Sequence, residues 1–163
     1  MLRFAPYLLE RLMDVAPDDR GAGARPTLTI EQLKDTVARD VEALLNTRCA
    51  LAMDVVEDFH LASRSVLRFG LDDFSSRSLA SVADREFICK AIERALADHE
   101  PRLRNAHVEL DVREAVGAGV RFNIHALLQI HPAAEPVNFD AVLQTATQQY
   151  KVASSVRPGA TPR

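Results

Sequence analysis

The spacing of apolar residues changes once along this chain, at Glu100-Pro101-Arg102. From Ala83 to His99 apolar residues recur at helical spacing; from His107 onward they alternate. A switch from a period of about 3.6 to one of 2 across a proline demands a helix that leads directly into strands. Pro101 disfavours the α conformation for the residue before it, so the helix stops near His99 and Glu100 is extended. A carboxylate at a helix C-terminus sits at the negative end of the dipole, at a cost of about 0.3–1 kcal/mol. Arg102 and Arg104 come directly after it and are placed to neutralise it.

A second long helix is legible upstream. Thr29 with Gln32 three residues on has the form of a capping box. Ile30, Leu33, Val37, Val41, Leu44 and Leu45 then make one apolar stripe, fraying near Asn46-Thr47-Arg48. The later helix opens at Ser81, with Asp84 as its box partner and Val82, Ile88, Ile92, Ala95 and Leu96 inward. Between the two, Cys49 to Phe59 suits either a helix or an extended segment. The connection Ser65-Val66-Leu67-Arg68-Phe69-Gly70-Leu71-Asp72-Asp73 and the serines after it carry no firm period, and a connection of that length is usually functional.

After the junction, Val108, Leu110 and Val112 alternate with polar residues, as do Val120, Phe122, Ile124, Ala126, Leu128 and Ile130. A turn over residues 115–119 joins them into an antiparallel hairpin with one buried face. Residues 131–136 read as a linker, Val137 to Leu143 as a further strand, and Gln149 to Val152 as a short last one; these final strands are candidate sheet edges. At the other end, Pro6 to Met13 forms a short helix with Leu8, Leu9 and Leu12 on one side, tethered by a Pro-, Gly- and Asp-rich linker. Too short to be stable alone, it must dock on its own domain or on a partner. The expected fold is α+β: two long helices packed on one face of a small, mainly antiparallel sheet, with a tethered N-terminal helix. The expected organisation is N-terminal helix and linker over 1–28, an α+β domain over 29–153, and a disordered tail over 154–163.

Function classes narrow by exclusion. With 163 residues the chain has room for one core. A net charge of −3 with interleaved signs gives no basic face for nucleic acid, and 6% aromatic residues without Trp leave little to stack on single strands. Cys49 and Cys89 lack metal spacing and read as reduced thiols. No apolar run is long enough to span a membrane and the first residues lack a signal-peptide pattern, so a cytoplasmic protein is expected. The five histidines show no metal-binding spacing, no nucleophile elbow surrounds Ser63 or Ser65, and the hairpin turn is no phosphate loop. No cofactor, metal, catalytic residue or small-molecule substrate is expected. Paired carboxylates for glycoside cleavage have candidates in Asp72, Asp73, Glu100 and Glu109, but two guanidiniums beside Glu100 favour its charged form, the wrong form for a general acid.

Three stretches in order, Leu44-Leu45-Asn46-Thr47-Arg48, the 65–73 connection and Glu100-Pro101-Arg102-Leu103, resemble TssE, the baseplate wedge subunit of the bacterial type VI secretion system. That family is in turn similar to a small wedge protein of contractile phage tails. Leu8-Leu9-Glu10-Arg11-Leu12 and Phe139-Asp140 with Val142-Leu143 extend the likeness to nearly the whole chain. The central motif departs from the family pattern: Arg68-Phe69 stands where Asn then Tyr is usual, and Asp72 where Pro is frequent. The resemblance implies a non-enzymatic subunit beside the TssF and TssG wedge subunits and the first sheath ring, in a cytoplasmic baseplate that meets the inner membrane only through the assembled complex. It implies partner contacts at Glu100, Pro101 and Arg102, at Arg68 and Phe69, and at Leu8, Leu9 and Leu12. Two other readings stay open: a peptidoglycan-cleaving muramidase, and a baseplate subunit of another contractile injection device.

Overall fold

The computed structural model describes residues 4–5, 27–49, 51, 53–56, 58–59, 61–111, 119–130, 133–144 and 146–155. The chain divides into two compact units, residues 1–37 and 38–163, with the boundary inside the first long helix. Its elements are α1 (Ile30–Asn46), α2 (Met53–Val56), α3 (Val82–His99), and strands β1 (Leu103–Asp111), β2 (Val120–Ile130), β3 (Ala133–Gln144) and β4 (Gln149–Ser155). The architecture is α+β, with two long helices and one antiparallel sheet of order β1-β2-β3-β4. No helix among the described residues is long and apolar enough to cross a membrane.

In the first unit, Phe4 and Leu28 exchange both backbone hydrogen bonds, at 2.9 and 2.7 Å. The capping box at the start of α1 is complete: Thr29 Oγ1 accepts from Gln32 N–H at 3.2 Å and Gln32 Oε1 accepts from Thr29 N–H at 2.9 Å. The expected helix over 6–13, with Leu8, Leu9 and Leu12, and the linker after it lie outside the described residues.

In the second unit, α1 continues with Val41, Leu44 and Leu45 buried. Ser81 caps α3 by accepting from Asp84 N–H, but the box is not reciprocated. Asp84 instead accepts from Arg77 and from Ser78 N–H, closing the serine-rich run against the helix. The buried stripe of α3 is Ile88, Ile92, Ala95 and Leu96; Val82, expected inward, is exposed because it lies about a third of a turn off that stripe. Among its described residues, Cys49 to Phe59 yields the single turn of α2; a 3-10 turn, Ala62–Arg64, precedes the connection and another, Val66–Arg68, lies within it.

The sheet follows the alternation. Val120, Phe122, Ile124, Ala126 and Leu128 are buried while Arg121, Asn123 and His125 are half-exposed. β1 begins at Leu103, earlier than its alternation suggests, because a bulge resets the register: Arg104 faces Leu127 and His107 faces His125. Asn105 takes a positive φ of 52° there, a conformation that asparagine tolerates. β3 includes residues 133–136, expected as linker. Pro136 is admitted because β4 pairs β3 only from Asn138 on, so Pro136 sits where β3 is itself an edge. From Asn138 to Gln144, β3 is interior rather than an edge. β4 runs to Ser155, two residues into the expected tail, because Ser154 and Ser155 pair with Phe139 and Asn138.

Tyr150 is the largest fully buried side chain, tilted against Phe122 with ring centroids 6.0 Å apart. Among the described residues its hydroxyl has no hydrogen-bond partner, and burial pushes its pKa above the ordinary tyrosine value of 10.0. Tyr150→Phe is therefore expected to stabilise the fold by about 1 kcal/mol, the scale of an unsatisfied buried polar group. In the wild type the unfolded chain loses this proton near pH 10.0 and the folded chain only higher, so stability falls as pH rises through that window. Urea midpoints measured from pH 8 to 11 should fall less steeply for the variant; parallel curves would show that the buried phenol is not responsible.

Candidate functional site

The helix-to-strand corner is closed by side chains. Glu100 N–H donates to Leu96 O at 2.9 Å, ending α3, and Leu103 N–H donates to Glu100 O at 3.0 Å, starting β1. Arg102 turns back on its neighbour: Nε donates to Glu100 Oε1 at 2.5 Å, and Nη2 bonds Glu100 Oε2. Nη2 also reaches Asp40 Oδ2 of α1 at 2.5 Å. Arg102 O accepts from Gln129 N–H of β2 at 2.8 Å. One arginine thus ties α1 to the end of α3 through its guanidinium, and reaches the β1–β2 pair through its backbone carbonyl. Glu100 is 5% exposed and the Arg102 side chain 13%, whereas Asp40 keeps 40%. Burial alone would lower the Arg102 pKa, but the hydrogen bonds and charge of Glu100, then of Asp40, outweigh it and hold the guanidinium above its ordinary value. Asp40 has no signal in the sequence; it is one polar residue among several off the α1 stripe, 62 positions away.

A second cationic node lies in the connection. Arg68, 8% exposed, grips Asp72 with two hydrogen bonds of 2.7 and 3.1 Å, and its Nη1 also bonds Leu51 O and donates to Cys49 Sγ at 3.1 Å. The hydrogen bonds to Asp72 raise the Arg68 pKa against the opposing pull of burial. Arg68 and Asp72, two of the three departures from the resembled family pattern, are therefore partners. Arg68 brings a charge inside, and Asp72 supplies the counter-charge. Gly70 sits between them with φ 112°; any Cβ there would collide with the Thr47 carbonyl, so only glycine lets the connection lie against the end of α1. Leu71 N–H then donates to Thr47 O at 2.9 Å and Leu71 O accepts from Cys49 N–H at 2.8 Å.

The two nodes meet at His99, the last residue of α3. Its Nε2–H donates to Arg68 O at 3.0 Å, and the Phe69 ring meets the imidazole edge-on at 5.3 Å and 66°. The structure thus brings Arg68, Phe69, Glu100, Pro101 and Arg102 to one end of α3. Pro101 is exposed at the apex and Phe69 half-buried, while Glu100 and Arg68 are buried beneath. Leu8, Leu9 and Leu12 lie outside the described residues. Glu100 and Asp72 each engage an arginine through both carboxylate oxygens, and Asp73 accepts from Ser75 N–H. Neither gripped carboxylate is placed to give a proton to a substrate. Among the described residues no group of three His, Cys, Asp or Glu is arranged to hold a metal ion.

Compared with known proteins, residues 31–133 match a family model described as baseplate wedge protein gp25. The match takes in both long helices, the connection, the corner and the β1–β2 pair. No curated protein and no solved structure matched.

The burial of these nodes has measurable consequences. Glu100→Ala strands a buried guanidinium and is expected to cost about 3–5 kcal/mol, against about 1 kcal/mol or less for Asp40→Ala, whose carboxylate is partly solvated. Urea unfolding of the two variants measures this; equal losses would mean the corner does not hang on Glu100. Asp72→Ala should cost about 3 kcal/mol, and adding Arg68→Asn should recover part of it, because the second change removes the orphaned charge. Strictly additive losses would show that the pair is not coupled.

Proposed function

The chain belongs to the baseplate wedge protein gp25 family, structural subunits of contractile injection machines, and we propose that it serves in the baseplate of a type VI secretion system. In this reading it is a TssE-type subunit that joins TssF and TssG in the wedge and helps start the sheath, on the cytoplasmic side of the inner membrane. The observation that carries the reading is the convergence of the 65–73 connection and the Glu100-Pro101-Arg102 corner at one end of α3, inside the matched region. Pro101 and Phe69 would touch the wedge partners, while Glu100, Arg102 and Arg68 hold the surface in shape and Arg102 offers its exposed edge. Leu8, Leu9 and Leu12 would anchor the N-terminal segment on a partner. The reading also has both long helices covering the face of the sheet that carries Val120, Phe122, Ile124, Ala126 and Leu128, with Val41, Leu44 and Leu45 of α1 and Ile88 and Ile92 of α3 as the apolar stripes that support it. Sheath subunits would engage the outer strands β1 and β4.

A muramidase is disfavoured by the way Glu100 and Asp72 are held. Another contractile device remains a difference of machine rather than of mechanism.

The test is co-purification of the chain with TssF and TssG, together with counts of sheaths in a secreting strain, for wild type and Pro101→Asp. Pro101 is exposed, so the charge alters the apex, and an unchanged urea midpoint identifies a preparation in which the corner beneath is kept. Retained folding by circular dichroism with lost co-purification and few sheaths is expected. Normal co-purification and sheath counts would remove the corner from the interface. Absence of TssF and TssG from the wild-type preparation would overturn the assignment to this machine. Release of glycan from peptidoglycan, abolished in Glu100→Gln, would overturn the structural reading.

A further inference from the structure

Beside the first half of α3 lies a cavity of about 210 Å³. Its floor is apolar: Phe74, Ile88 and Phe122 are buried there, and Leu79 and Leu143 form its walls. The chain itself fixes those walls. Arg77 N–H donates to Phe74 O at 2.9 Å, and Asp84 accepts from Ser78 N–H, which holds the 74–79 run against α3. On the other side Gln148 takes a φ of 55° and its N–H donates to Gln144 O at 2.7 Å, closing the β3–β4 turn. Two charged side chains line the cavity, and both are arginines. Arg77 is committed: it donates to Asp84 at 3.1 Å and lies over the Phe87 ring at 4.2 Å. Arg48 is exposed and stacks on Phe74 at 5.5 Å. Among the described residues no carboxylate stands at ion-pair distance from Arg48; Asp73 is engaged by Ser75 N–H at 2.9 Å and acts on Arg48 only from beyond that distance. The mouth of an apolar cavity thus holds one uncommitted cation.

Volume limits the occupant. Small-molecule and cofactor pockets run to about 300–1,000 Å³, so this one is too small for a cofactor or a nucleotide. An apolar cavity of about 150 Å³ takes benzene, so this one takes an aromatic ring with its first carbons. A ring seated against Phe74 and Phe122 gains aromatic contacts, and a carboxylate on the same occupant meets Arg48. The chain carries that pair of groups itself. Among the described residues Phe59 is the one aromatic ring more than half exposed, at 64%, and Asp58 beside it is exposed as well. Phe59 is firmly presented: its N–H donates to Val56 O at 2.9 Å, its carbonyl accepts from Ser63 N–H at 2.9 Å, and Val56 is buried. We propose that the cavity receives Phe59 of a second copy of this chain, with Asp58 of that copy paired to Arg48. Socket and plug are different surfaces, so a copy that keeps only its socket and a copy that keeps only its plug still join. One ring and one ion pair hold weakly alone; an assembly that sets copies side by side supplies effective concentrations in the millimolar range. The contact is a property of the isolated chain and goes beyond the wedge assignment.

The test is sedimentation equilibrium of the full chain from about 0.01 to 1 mM, where the weight-average mass should rise above the monomer. Phe59→Ser removes the plug and Arg48→Asp the socket, and each alone should stay monomeric over the same range. Phe59 and Arg48 are exposed, so melting curves show whether each variant keeps its fold. Should Arg48→Asp lose it, Ser75→Trp, at an exposed position on the cavity's lining, closes the same socket. A mixture of the plug-less and socket-less variants should regain association, because each supplies what the other lacks. Asp58→Arg should abolish association, and combining it with Arg48→Asp should restore it through the reversed ion pair. A wild type that is monomeric at about 1 mM overturns the proposal. So does association that Phe59→Ser retains, which places the contact elsewhere on the chain. Variants that stay monomeric when mixed also overturn it, in favour of Phe59 pairing with its own counterpart. No other subunit is present in the cell, so failure here is separate from any failure of the wedge assignment.

Discussion

The second unit depends on one guanidinium. Arg102 satisfies Glu100 through both carboxylate oxygens and Asp40 through one, at the point where α3 ends and β1 begins. Pro101 stops the helix but does not aim the strand after it; many extended paths leave a proline. The ion network selects one, because only a path that returns Arg102 over Glu100 pairs both buried charges. A buried ion pair is weak evidence for net stability, since desolvation offsets much of its attraction. Its value here is directional. It fixes where β1 enters the sheet, and Arg102 O, taken by Gln129 N–H, sets the first rung beside β2.

The connection repeats this device. Arg68 is buried against Asp72, and His99 links its carbonyl to the end of α3. In the sequence Arg68 and Asp72 stand as two separate departures from the resembled pattern. The geometry makes them one ion pair. The connection is thus fixed to both long helices, through Thr47 after α1 and His99 of α3.

Much of this was legible because it is periodic or local. The stripes of α1 and α3, the alternation of β2, the Thr29–Gln32 box and the helix stop at His99 depend on residues a few positions apart. The features that could not be read depend on distance. Asp40 finds Arg102 across 62 positions, and Asn46 finds Tyr150 across 104; nothing near either residue announces its partner. Asp84 looked like a reciprocal cap and was captured by Arg77 and Ser78 instead, a competition invisible to spacing. Pro136 argued for a linker, and was overruled because β4 is too short to need its missing N–H. Tyr150, in a strand read as short and peripheral, proved to be a core residue because β4 adds to an existing sheet.

Both outer strands of the sheet have backbone groups engaged by helix side chains. On β4, Asn46 acts as a surrogate strand: its amide donates to Tyr150 O at 2.9 Å and its carbonyl accepts from Tyr150 N–H at 2.7 Å. Glu42 accepts from Val152 N–H at 2.9 Å, and on the opposite edge Glu93 accepts from Val108 N–H at 2.9 Å. Helix side chains thus occupy backbone groups that an arbitrary strand would otherwise use, a form of edge protection. A partner strand must displace these carboxylates and the amide, and only one that supplies compensating contacts elsewhere gains by doing so. Side-chain surfaces therefore come first in recognition, and strand exchange, where it occurs, comes second.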